Sequence, residues 1–202
     1  MQLLKPFFIV AVIAALAASG FAYFETNKAE LSTAAAISGP LDVRTAGDRL
    51  PGFNFITNNP PVPDVKMFDV DGNPASLESF KGKVVLFNLW ATWCPPCIRE
   101  MPDLNALVAE YKDRGFIVVP VASGRQGKEE PTEFLQKRGL DELTTYYDPH
   151  SQFLQTFGID SLPTTLVIDR DGNMRGGVLG ILDWSSDDAK ALIEAFLEEQ
   201  QS

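Results

Sequence analysis

The sequence predicts an α/β domain: a central mixed β-sheet flanked by helices, with a β-hairpin extension at its N-terminal side and an apolar helical segment far ahead of it. Three observations carry this. Lys83–Trp90 and Phe116–Ala122 are dominated by branched and aromatic apolar residues, the pattern of strands buried on both faces. Between them Pro95–Arg114 has a helical period, so the three make a βαβ unit with parallel strands. Thr164–Asp169 and Met174–Leu179 flank the turn Arg170-Asp171-Gly172-Asn173, which sends the chain back antiparallel. The sheet is therefore mixed.

In chain order, the first element is the apolar segment 1–24. Lys5 precedes it, Glu25 follows it, and no residue from Pro6 to Phe24 is charged. As a helix this run crosses a hydrocarbon core of roughly 30 Å. Lys5 on its near side puts the N-terminus inside. The segment is thus expected to anchor the chain in a membrane with the rest outside the cytoplasm. A cleaved signal peptide is the alternative, and it exports the same residues. Residues 25–60, rich in Ala, Ser, Thr, Asn and Pro, read as a linker, although Leu50, Phe53 and Phe55 give part of it apolar surface to pack on the domain. Residues 61–202 form the domain. Val65–Val70 reads as a strand and Asp71-Gly72-Asn73 as a hairpin turn, with a helical turn at Ser76–Phe80. In Pro95–Arg114, Met101, Leu104, Leu107, Val108 and Tyr111 share a face, and Gly115 sits where a left-handed glycine ends a helix. Pro131–Arg138 and Ser151–Phe157 read as helices. Ser185–Gln200 closes the chain, with Ser185 or Ser186 as cap and Asp187 and Asp188 in its first turn.

Composition narrows the function. The chain of 202 residues has a formal charge of −10, which demotes nucleic acid as a partner. Two cysteines and one histidine make no disulfide-rich scaffold and no complete tetrahedral metal site without carboxylates. His150, beside Pro149, reads as a surface or capping residue, and Arg125–Glu130 as a segment facing solvent or a partner.

The chemistry lies in Trp93-Cys94-Pro95-Pro96-Cys97, where a buried strand hands over to a helix. Cys94 falls at the helix N-terminus, whose free N–H groups and dipole favour a thiolate, the species that attacks disulfides. Cys97, one turn on, shares its face and can resolve a mixed disulfide. Pro95 and Pro96 stiffen the first turn without costing a needed donor. Half a zinc site and a purely structural disulfide are the competing readings of this pair.

The run VVLFNLWATWCPPCIREMPDL, with SLPTTLVIDRDGN and LGILDWSSDDAKALI further on, resembles the thioredoxin-like TlpA/ResA/CcmG family of membrane-anchored thiol–disulfide oxidoreductases, TlpA most closely. The resemblance spans roughly 60–200. It implies a thioredoxin-like fold for 61–202, with Cys94 as exposed nucleophile, Cys97 as resolving thiol, and no cofactor or metal beyond the Cys94–Cys97 disulfide. It puts Trp93, Pro95, Pro96, Leu162 and Pro163 at the substrate-binding rim, with Pro163 as a cis-proline facing the dithiol. Pro102 matches the helix-kinking proline, and Trp90 a packing tryptophan. Glu100, one turn below Cys97, corresponds to a carboxylate that tunes the cysteines. Asn88 stands where thioredoxin has a buried Asp, so that proton relay is absent and the burden moves to Glu100. The sequence lacks the Gly-Ala-Pro-Glu-Thr run of CcmG-like members and the second cysteine pair that TlpA can carry. The expected function is reduction of disulfides in client proteins, copper-handling or cytochrome c assembly proteins, with electrons from a membrane thiol donor. A copper-binding carrier using the same cysteines and a disulfide oxidase or isomerase are the alternatives.

Overall fold

The computed structural model describes residues 41–124 and 129–199. Within them the strands are β1 Asn54–Phe55, β2 Met67–Phe68, β3 Pro74–Ala75, β4 Val84–Trp90, β5 Phe116–Ser123, β6 Tyr146–Asp148, β7 Thr164–Ile168 and β8 Met174–Leu179. The helices are α1 Val43–Arg49, α2 Pro95–Tyr111, α3 Glu129–Gln136, α4 Gln152–Phe157 and α5 Asp187–Glu199. The strands join one sheet in the order β1-β8-β7-β4-β5-β6-β2-β3.

Strand β4 explains the layering. It is buried along its whole length. Val84, Leu86 and Trp90 point into one core, with Met101 and Leu104 of α2 and Leu192 and Phe196 of α5. Val85, Phe87 and Leu89 point into the other, with Phe153 of α4 and Leu77 of the 3-10 turn Leu77–Phe80. A strand with apolar residues on both of its faces needs a cover on each side. β5 runs parallel to β4 from Val84↔Phe116 to Trp90↔Ala122, and β7 runs antiparallel on its other side. Pro120 sits inside β5, where a missing N–H would break a ladder. Pairing with β6 starts only at Val121. The Pro120 carbonyl accepts from the Thr145 hydroxyl instead, at 3.2 Å.

The mixed sheet, the βαβ unit and the N-terminal hairpin are as expected, and several boundaries move. The strand expected at Val65–Val70 shortens to two residues, because the Asp69 carboxylate accepts from the backbone N–H groups of Asp71 and Asn73 at 2.9 and 2.8 Å and closes the turn early. β6 was not foreseen; three residues with no alternation carry little period. Ser186, not Ser185, caps α5: its hydroxyl accepts from the Ala189 N–H at 3.3 Å.

The linker needs the largest correction. The compact unit begins at Leu41, well inside the segment 25–60. There α1, Leu50 and Phe53 join the core, and β1 pairs with β8. Residues 60–62 are stitched to the β7–β8 turn by Val62 N–H to the Gly172 carbonyl and Met174 N–H to the Pro60 carbonyl, at 2.9 and 2.8 Å. The anchor expected at 1–24, the rest of the linker and Arg125–Lys128 lie outside the described residues. Among the described residues no helix is long and apolar enough to cross a membrane.

Candidate active site

The dithiol stands at the C-terminal end of β4, where the chain leaves the sheet for α2. Cys94 is the N-cap of α2, and the Cys97 N–H points at its sulfur across 3.3 Å. The two cysteines are joined as a disulfide, their Cα atoms 5.3 Å apart. Pro95 and Pro96 occupy the first two helical positions, where no intrahelical N–H bond is lost.

Cys94 was expected to be exposed, yet only 4% of it reaches solvent, and Cys97 is fully buried. The reason is the shape of the surroundings. Cys94 lies in the wall of a cleft of about 390 Å³, with Trp93, Pro95, Pro96 and Leu162 beside it. Trp93 is 68% exposed and forms the rim, whereas Trp90 is buried against Phe134 with ring centroids 5.6 Å apart. The Leu162–Pro163 peptide is cis. Leu162 supplies that wall; Pro163 is buried behind it, its carbonyl accepting from the Gly180 N–H at 2.8 Å. Ser123, Gly124, Ser151 and Asp160 also line the cleft, and nothing in their sequence context marks them. Glu130, expected to face solvent or a partner, accepts a hydrogen bond from the Thr92 hydroxyl and ties α3 to the active-site loop. His150 is exposed, as expected.

Glu100 is the group that the helical period left undecided. It is 1% exposed. Asn88, on β4, donates from Nδ2 to Glu100 Oε1 at 2.7 Å and to Thr165 Oγ1 at 2.9 Å. Burial pushes the Glu100 carboxyl up to about 7; the Asn88 hydrogen bond, the Leu182 amide and the Trp184 indole pull it down, and the charge of Asp103 pushes it up further. Trp184 Nε1 faces Glu100 without closing a hydrogen bond, and Glu100 Oε2 and Asn88 Oδ1 are likewise buried without partners. Both Cys97 and Glu100 are therefore buried, one helical turn apart. A buried carboxyl whose ionisation is raised toward neutral pH thus lies one helical turn from the buried sulfur of Cys97. Among the described residues no group of three or more His, Cys, Asp or Glu side chains is placed to hold a metal.

A helix-capping cysteine, its partner one turn on, and a cis-proline loop across the cleft define a thioredoxin-like thiol–disulfide oxidoreductase. Comparison with known proteins agrees. The family model described as Redoxin matches residues 45–193. The thiol-disulfide oxidoreductase ResA of Geobacillus thermodenitrificans is 32% identical over 148 residues, covering 70% of this chain and 83% of that protein. A thiol:disulfide interchange protein of the thioredoxin family from Chlorobium tepidum superposes with a TM-score of 0.57 at 28% identity, over 70% of this chain and 99% of that one. The exposed lipoprotein thioredoxin of Streptococcus pneumoniae gives 0.55 at 28%, over 68% and 99%. The chain belongs to the redoxin family, in its TlpA/ResA/CcmG group, and is a protein thiol–disulfide oxidoreductase.

Proposed function

We propose that this oxidoreductase runs as a reductase of client-protein disulfides on the periplasmic side of the inner membrane. The observation that carries the direction is Glu100, buried one turn from Cys97. A carboxylate beside a dithiol disfavours the thiolates and so the reduced pair. A pair with a poorly stabilised reduced form gives its electrons away.

In the working cycle Cys94 attacks the client disulfide, and the client's first thiolate leaves. Cys97 passes its proton to Glu100 and attacks the Cys94 sulfur. The Cys94–Cys97 disulfide forms, the bond from Cys94 to the client breaks, and the second client thiolate departs with the electron pair. Clients of the copper-handling or cytochrome c assembly kind, and a membrane thiol donor that re-reduces the pair, belong to the same reading. Its support is the family resemblance and the charge-free run 6–24; a tether raises the effective concentration of the dithiol near membrane-bound clients. A fragment starting at Leu41, equilibrated with glutathione or dithiothreitol, is expected to show a potential near or below roughly −220 mV. A value above roughly −160 mV would recast the protein as an oxidase or isomerase.

A further inference from the structure

The active site has two mouths. Cys94 opens on the client cleft, while Glu100 lines a second cavity of about 300 Å³ with Arg99, Asp103, Ile181, Leu182 and Asp183. The two cavities share no lining residue. A ligand that fills only the first cavity therefore leaves the second one open. At the inner side of that second cavity stands Glu100, whose Oε2 is buried without a hydrogen-bond partner. At its outer end Asp103, one turn beyond Glu100 on α2, is partly exposed and Asp183 exposed. Around Glu100 stand Arg99 and Asp103 from its own helix, with Cys97 one turn before it, and Asp183 and the Trp184 indole from the loop before α5; among the described residues the sheet contributes the neutral Asn88, backed by Thr165. The mouth carries two carboxylates and one guanidinium. Burial and the charge of Asp183 push the Asp103 carboxyl up as well, so it too is suited to passing a proton on.

We propose that the groove edged by Asp103 and Asp183 is the proton port of the site: the proton that Cys97 hands to Glu100 leaves through it while a client covers Cys94, and its two carboxylates set how readily Glu100 takes that proton. Asp103 and Asp183 are positioning residues in this scheme. It rests on the reading of Glu100 as proton acceptor for Cys97.

The test uses the full-length reduced protein and dithiobis(nitrobenzoate). The first nitrothiobenzoate released reports attack by Cys94. The second reports attack by Cys97 while the nitrobenzoate still fills the cleft. In the wild type the second release is expected to rise with pH around a midpoint near 7. Asp103→Asn removes the negative charge that acts on Glu100, so Glu100 loses its proton more readily and the midpoint falls by about half a pH unit; Asp183→Asn, whose charge acts on Asp103, shifts it in the same direction by less. Asp103→Glu restores the charge and the wild-type midpoint. Added salt lowers the midpoint of the wild type but not of the double Asn variant, because only a solvent-filled groove is screened. Asn variants that superimpose on the wild type while Glu100→Gln loses the step would overturn the port and leave Glu100 in its role. A step that survives in Glu100→Gln would overturn both.

Discussion

Asn88 ties the buried Glu100 carboxyl to the central sheet. Both its N–H hydrogens are spent, on Glu100 and Thr165; the first bond favours an ionised Glu100 in surroundings that otherwise oppose charge, and the second holds the amide in place. Replacing it by Asp puts a second carboxyl against the first. Two carboxyls in one buried site share a proton, and the pair holds it well above the single-group value. Asn88→Asp is therefore expected to move the pH midpoint of Cys97 attack upward by a unit or more and to slow that attack at pH 7 by about tenfold. Stopped-flow measurement of the resolving step checks this. An unmoved midpoint would mean that the Asn88–Glu100 bond is structural only.

The α1–β1 segment is the element that changes the picture of the domain. Val43, Ala46, Leu50 and Phe53 are buried, and the Phe53 and Phe55 rings meet edge to face, 5.1 Å apart. Strand β1 lies close on β8 because β8 carries glycine there. A Cβ on Gly176 would meet the Phe53 ring at 2.4 Å and the Asn54 carbonyl oxygen at 2.8 Å. A strand glycine without a turn marks such an approach of another chain segment. Burying Leu50 and Phe53 is worth about 1.5–3 kcal/mol each, whereas the exposed Arg49–Asp188 ion pair at 2.9 Å adds little. A fragment starting at Asn58 is thus expected to unfold at clearly lower urea than one starting at Leu41, and Gly176→Val in the longer fragment to lose much of the same difference. Equal midpoints for the two fragments would show that the segment rests on the surface without contributing to the core.

Across the whole molecule, Glu100 couples stability to pH. Its carboxyl ionises near 7 in the folded chain against 4.5 when unperturbed. Between these values the folded state binds more protons than the unfolded one, so stability falls as pH rises through this window. The loss amounts to as much as about 3 kcal/mol by pH 8. Asp42 and Asp69, held below the usual carboxylate range by hydrogen bonds from Thr45 and Asn73, act in the opposite sense and below that window. Urea unfolding of the oxidised protein at pH 5 and pH 8 is expected to show the decline in the wild type and a flatter profile in Glu100→Gln. Parallel profiles would mean that the folded chain does not hold a proton on Glu100.

The two central strands, the helix between them and the place of the dithiol are legible in the chain alone. Each rests on a local pattern: unbroken apolar runs, a helical period, and a cysteine followed by prolines where a helix begins. Only the tertiary structure decided whether Glu100 was solvated or buried. Its neighbours along α2 do not cover it; Asn88 from β4 and the loop carrying Leu182 and Trp184 do, and these are brought in by the sheet. The same holds for β1, β6 and the Leu162 wall of the cleft. Two- and three-residue strands have no period to read, and a cleft wall comes from a segment far along the chain. Such features exist only once distant residues pack, because burial and the absence of water around a charge are properties of the assembled core.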